Sequence, residues 1–253
     1  NTGAPTGGDD AKYIRENLKA AYVGSNKAPV PIFAATGGEF NGSGTNLPQA
    51  ITAELTVTGA PSASGSRDGV MIFFGTGQFF DFTHLLDDVN NKVQTMYAFW
   101  DRGISDAGVT WTDVDLPIKR NRLQKQTITE STVNGKPVRE LAAINTISYT
   151  PGAGNASQLG WLMDMPLRGE RITRKPVGLF EHMAFFTQSP ISKTDPCIEG
   201  IDGWTMIAKK DTATPINVTL VGGSGTTSYL GTKQTGDSIH DPIFVELSDG
   251  QFV

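Results

Sequence analysis

Between Pro29 and Leu247 the chain is broken every few residues by Gly, Pro, Asn or Ser, and this punctuation limits what it can fold into. The runs it leaves are too short for packed helices and rich in Val, Ile, Thr, Phe and Tyr. They read as strands. The candidates are VPIFAAT, ITAELTVTG, GVMIFFGTG, VQTMYAFWD, KQTITEST, NTISYTP, GWLMDMPL, HMAFFTQSP, GWTMIAKK, INVTLVGG and DPIFVEL. Ile51, Ala53, Leu55 and Val57 alternate with Thr52, Glu54, Thr56 and Thr58, so the two sets face opposite sides of a strand. VMIFF and MAFF are continuous apolar runs and read as strands buried on both faces. Val133-Asn134-Gly135-Lys136 carries the Asn-Gly pair that favours a tight hairpin. With 29 Gly and 14 Pro in 253 residues, composition agrees with an all-β chain.

Residues 1–28 read as a linker, NTGAPTGG, followed by one short helix. Asp9 and Asp10 suit its N-terminal end, and Ile14, Leu18 and Ala21 share one face. Residues 29–253 read as one β-domain. Gly69–Trp100, Gly160–Phe186 and Gly203–Val221 loosely repeat a strand, a turn and an aromatic-rich partner. A spacing of roughly 45 residues suits four-stranded propeller blades, so the expected architecture is β-propeller-like. The chain opens on Asn1 rather than Met and reads as part of a longer protein.

Charge and cysteine content narrow the function classes. The net charge is −5 and the densest basic group is only Lys119-Arg120-Asn121-Arg122, which argues against a nucleic-acid partner. A single cysteine, Cys197, permits no disulfide within the chain. No apolar run reaches the length needed to span a membrane as a helix.

Catalytic templates fail one by one. Gly75-Thr76-Gly77 follows an apolar strand, as a dinucleotide-binding loop would. Phe80 stands where the third Gly should be, and no helix start follows. The glycines therefore read as turn residues. His84, His182 and His240 are isolated, without a second ligand at helical spacing. No Gly-x-Ser-x-Gly elbow occurs, and Cys197 has no base nearby. Asp87-Asp88-Val89-Asn90-Asn91 has residue types that suit calcium, but it lacks Gly at the sixth position and an acid at the twelfth. Asp211, Asp237, Asp241 and Asp249 are scattered singly and nominate no carboxylate pair. Trp100, Trp111, Trp161 and Trp204 read as packing residues beside strands.

A family likeness emerges from motif order. FFGTGQFF, QTMYAFWDRG, NRLQKQTI, GWLMDMPLRGERITRKPV and AFFTQSPISKTDPCIEGIDGWTMI follow one another as blocks. In that order they resemble the C-terminal domain of the PilY/PilC family of type IV pilus tip adhesins and biogenesis factors. The likeness covers roughly residues 29–210 and rests on Gly75, Thr76, Gly77, Trp100, Asp101, Gln126, Thr127, Gly160, Trp161, Gly169, Glu170, Arg171, Asp195, Pro196, Cys197 and Trp204. It implies a propeller-like fold and an extracellular place at the pilus tip or outer surface. It further implies minor pilins or other tip components as partners, and roles in pilus assembly, retraction control, twitching and adhesion without catalysis.

The likeness also raises calcium, but no Asp-x-Asp-x-Asp loop is present to receive it, and no metal residue is assigned. Ala21–Asn26 stands where relatives carry a Gly-Asp-Leu blade motif, and no second Cys stands near Ile198–Gly203 to pair with Cys197. Arg67-Asp68-Gly69 and Arg168-Gly169-Glu170 are not the integrin-binding Arg-Gly-Asp order. Two other classes compete with the adhesin. One is a quinoprotein-like propeller dehydrogenase, and the other a carbohydrate-binding surface module using the aromatics at Phe79–Phe82.

Overall fold

A computed structural model describes residues 31–40, 42, 44–61, 69–79, 92–101, 116–149, 158–190, 201–218 and 227–234. The expected N-terminal helix, the Asp87–Asn91 loop, Asp195-Pro196-Cys197, Trp111 and the DPIFVEL strand lie outside them. The described residues are organised by strands, with a 3-10 turn at Arg120–Arg122 and no α-helix among them. The chain is all-β, as its punctuation indicates.

The strands are β1 (Thr36–Gly37), β2 (Leu47–Pro48), β3 (Thr56–Gly59), β4 (Val70–Gly75), β5 (Thr95–Asp101), β6 (Gln124–Gln126), β7 (Ile128–Val133) and β8 (Lys136–Leu141). There follow β9 (Gly160–Asp164), β10 (Val177–Leu179), β11 (His182–Pro190), β12 (Ile201–Lys209), β13 (Ile216–Val218), β14 (Thr227–Tyr229) and β15 (Gly231–Gln234). One sheet has five strands in the order β3-β4-β5-β9-β6, antiparallel except where β6 runs parallel to β9. A second has six in the order β10-β11-β12-β15-β8-β7. Two-stranded ribbons β1–β2 and β13–β14 accompany them, and among the described residues no sheet closes into a barrel. Among the described residues the two large sheets have five and six strands, and four-stranded blades are not shown. Of the three loosely repeated segments, Gly160–Phe186 begins on β9 of one sheet and ends on β11 of the other.

The two large sheets share one core. Met71, Phe73, Met96, Ala98, Trp161 and Met163 from the five-stranded sheet meet Met183, Phe185, Trp204, Met206 and Ala208 from the six-stranded one. With Met165, all six methionines of the chain lie in this layer, each at most 1% exposed. Unbranched thioethers fill irregular space between two twisted sheets better than branched chains can. The opposite face of the five-stranded sheet carries Phe74, Tyr97, Phe99 and Leu162, and Ile32, Phe33, Leu116, Ile118 and Leu123 cover it. Phe33 stacks on Phe99 at 4.8 Å and meets Phe74 and Tyr97 edge-on. Both faces of β4 and β5 are therefore buried, which explains their continuous apolar text. Fully burying each such side chain contributes about 1.5–3 kcal/mol.

Two expectations turn out differently. Of the strand expected over Ile51–Thr58 only its end forms, as β3 from Thr56, and the apolar residues do not face the core: Ile51, Leu55 and Val57 are 46%, 48% and 56% exposed. β3 is the edge strand, and it turns Thr56 inward to hydrogen-bond the Pro176 carbonyl oxygen. NTISYTP is no strand over its described part, Asn145–Tyr149. Instead of a ladder, the Gln126 amide bonds both the N–H and the C=O of Asn145, and Gln158 Oε1 accepts from the Ser148 N–H. The Asn-Gly hairpin forms as read, with Asn134 at φ 50° and Gly135 at φ 76° between paired Val133 and Lys136.

Candidate functional site

Gly75-Thr76-Gly77 leaves the end of β4 and is met at once by Glu170-Arg171-Ile172 from the segment after β9. The Ile172 N–H donates to Thr76 O at 2.9 Å. A Cβ on Gly75 would lie 2.1 Å from Ile172 Cγ2, and one on Gly77 would lie 2.5 Å from Arg171 Cβ. Only glycine permits this approach, and Gly77 also sits at φ 130°. The loop's amides are spent internally: Thr76 N–H donates to Thr95 O at 3.0 Å and Gly77 N–H to Ala50 O at 2.9 Å. A phosphate cradle needs such amides directed at a ligand, so this loop is a docking seam within the fold.

The Gly169-Glu170-Arg171 turn carries charge into the interior. Glu170 and Arg139, the latter on β8 of the six-stranded sheet, are both fully buried and paired at 2.6 Å and 2.8 Å through two parallel hydrogen bonds. Glu170 Oε2 also accepts the Leu167 N–H at 3.3 Å. Arg139 holds its cross-strand neighbour Glu130 at 2.8 Å, and its guanidinium lies 4.1 Å from the centroid of the Trp204 ring. Arg171 is buried as well; it donates to Gly169 O and Gln78 O, and burial pushes its pKa down. The chemistry of this junction is charge compensation: an ion pair, shielded by an indole face, fixes the Gly169–Arg171 turn to β8 of the six-stranded sheet.

A second polar cluster ties the covering segment to β5 and β9. Arg120 grips both Asp164 carboxylate oxygens at 2.8 Å and donates to Thr36 O, Thr95 Oγ1 and the Tyr97 hydroxyl. Gln49 donates to Val93 O and Thr95 Oγ1, and the Tyr97 hydroxyl lies 2.6 Å from Gln49 Oε1. Lys125 reaches Asp164 at 2.9 Å. Burial alone would raise the Asp164 carboxyl, but the Arg120 charge and hydrogen bonds from Arg120, Lys125 and Thr95 outweigh it and hold it below the usual aspartate value. A carboxyl depressed on folding contributes stability that is complete above its unfolded pKa, about 3.9, and is lost as pH falls through the lower folded value. Thermal melts should therefore fall steeply below about pH 4. Asp164→Asn should flatten that acid limb and cost roughly 1–3 kcal/mol at neutral pH. An unchanged acid limb in the variant would contradict this assignment.

The other residues of the family likeness are placed singly. Trp100 meets Tyr149 edge-on at 6.2 Å, and Asp101 ends β5 opposite Val70. Gln126 is fully buried against Asn145, whereas Thr127 is exposed between β6 and β7. Trp161 is fully buried and donates its indole N–H to Lys210 O at 2.7 Å. His182 starts β11, and burial with nearby Lys209 lowers its pKa. Seven residues of the likeness do converge: Gly75, Thr76, Gly77, Gly169, Glu170, Arg171 and, through Arg139, Trp204. No family model, curated protein or solved structure matches this chain. The reading of function therefore rests on the residues themselves. Among the described residues, no three His, Cys, Asp or Glu side chains converge to hold a metal ion, and no helix is long and apolar enough to cross a membrane.

Arg139 and the Arg120–Asp164 cluster are absent from the sequence reading. Arg120 is visible there only as part of a basic group weighed for nucleic acid. The signal available for Arg139 is a lone arginine inside a strand-like text, KPVREL, beside its hairpin partner Glu130.

Proposed function

We propose that this chain is the C-terminal domain of a type IV pilus tip-associated protein that supports pilus assembly, retraction control and surface attachment. One observation carries the reading beyond motif order. The Gly-Thr-Gly and Gly-Glu-Arg blocks, more than ninety positions apart, form a single seam with glycines that leave no room for a side chain. Six of the residues that carry the likeness, Gly75–Gly77 and Gly169–Arg171, thus belong to a seam this fold closes between distant segments. The five- and six-stranded sheets, packed face to face, are read as adjoining blades of a propeller-like body. Minor pilins or other tip components are its partners, the outer surface its place, and attachment without catalysis its role.

The test is genetic. Clean deletion of the gene in its own bacterium should reduce surface pili and twitching, and complementation with the wild-type gene should restore both. Unchanged piliation, twitching and adhesion in the deletion strain would overturn the proposal.

A further inference from the structure

The β10–β11 hairpin closes on Phe180 and Glu181, between paired Leu179 and His182. Phe180 has φ 42°, in the left-handed region where such loops normally carry Gly or Asn. The equivalent hairpin at Asn134-Gly135 follows that rule. Burial does not account for the exception, because Phe180 is 72% exposed. A bulky residue in strained backbone, with its ring in solvent, adds nothing to folding and points to a role outside it.

The surroundings hold the backbone that carries this ring. Lys210 donates through its ammonium to Phe180 O and through its N–H to Glu181 O. Lys210 itself follows β12 in a turn closed by Lys209 and Thr214, where buried Ala213 is a second left-handed non-glycine at φ 58°. Between this turn, the hairpin and the end of β3 lies a cleft of about 390 Å³, lined in part by Thr58, Phe180, Glu181, Lys209, Lys210 and Asp211. That volume is within the range of small-ligand sites. Two ammonium and two carboxylate groups balance, so the lining selects neither anion nor cation. It does offer hydrogen-bond donors and acceptors side by side, next to an aromatic face whose negative quadrupole attracts polarised C–H groups. A pyranose ring presents just that combination of hydroxyls and C–H groups.

We propose that this cleft binds a neutral saccharide, with Phe180 as the stacking platform and the Lys209–Asp211 turn supplying polar contacts. The inference goes beyond the pilus assignment and does not depend on it, since binding is read on the purified protein. The experiment applies the full 253-residue chain to an array of neutral glycans ending in glucose, galactose or N-acetylhexosamine, beside sialylated and sulfated ones. Wild type and Phe180→Tyr should bind one or more neutral glycans. Phe180→Gly should bind at least about tenfold more weakly while its Tm rises by about 2–4 °C. No neutral glycan bound, a signal confined to acidic glycans, or undiminished binding by Phe180→Gly would each overturn the proposal. A lower Tm in Phe180→Gly would make the ring structural, with the same result.

Discussion

Truncating Arg139 to alanine is expected to destabilise the chain by roughly 3–5 kcal/mol, because it strands the Glu170 carboxylate in the interior. Both side chains are fully buried, so water cannot replace the lost partner. The same change removes the guanidinium from the face of Trp204 and leaves a cavity beside it. Glu130 matters less, because it is 38% exposed and can hydrate when Arg139 is gone. Glu170→Gln should also destabilise, by a smaller amount, since the amide keeps the volume and Glu130 remains as a counter-charge to the buried guanidinium. The sharper test is a cycle with Arg139→Met and Glu170→Leu measured by urea unfolding. The double variant should lose much less than the sum of the single changes. Strict additivity, or a loss under about 1 kcal/mol for Arg139→Ala, would show that the pair does not hold the Gly169–Arg171 turn to β8.

Gly160→Ala should be the most damaging small substitution, costing more than about 4 kcal/mol and yielding little folded protein. Gly160 opens β9 at φ 147° directly opposite Phe99, and an added Cβ would lie 2.1 Å from Ala98 O and 2.8 Å from Phe99 Cα. Both obstacles are main chain of β5, a strand locked between β4 and β9, so neither can step aside. Gly59→Ala provides the control, because nothing lies within 4 Å of the position its Cβ would take. It should change stability by no more than about 0.5 kcal/mol. Comparable urea midpoints for the two variants would contradict the close crossing of β5 and β9.

What the sequence made legible follows from which forces are local. β4, β5 and β11 are continuous apolar runs because both their faces are covered, and Asn134-Gly135 encodes its turn in two residues. Alternation along Ile51–Val57 announces two unlike faces but not which of them finds a partner. That outcome is decided by β3 lying at the sheet edge. Asn145–Tyr149 has strand-like composition, yet distant glutamines take its backbone groups. The Arg139–Glu170 pair joins a strand to a turn more than thirty residues away, so neither residue marks the other in the text. Gly75 and Gly77 read as turn residues in sequence. Their full reason, the passage of Ile172 and Arg171, appears only once the chain is folded.

Concentrating every methionine between the two sheets also sets the chain's relation to oxidants. Thioether sulfur is readily converted to sulfoxide, which is polar and would split an apolar layer from within. Here no thioether is offered to solvent while the sheets stay together, so peroxide reaches sulfur only through opening of the core. A sulfoxide formed there would place a polar group in the layer and weaken the packing that shields the other five thioethers. Oxidative damage to this protein would thus depend on how often its sheets part as well as on how much oxidant surrounds it.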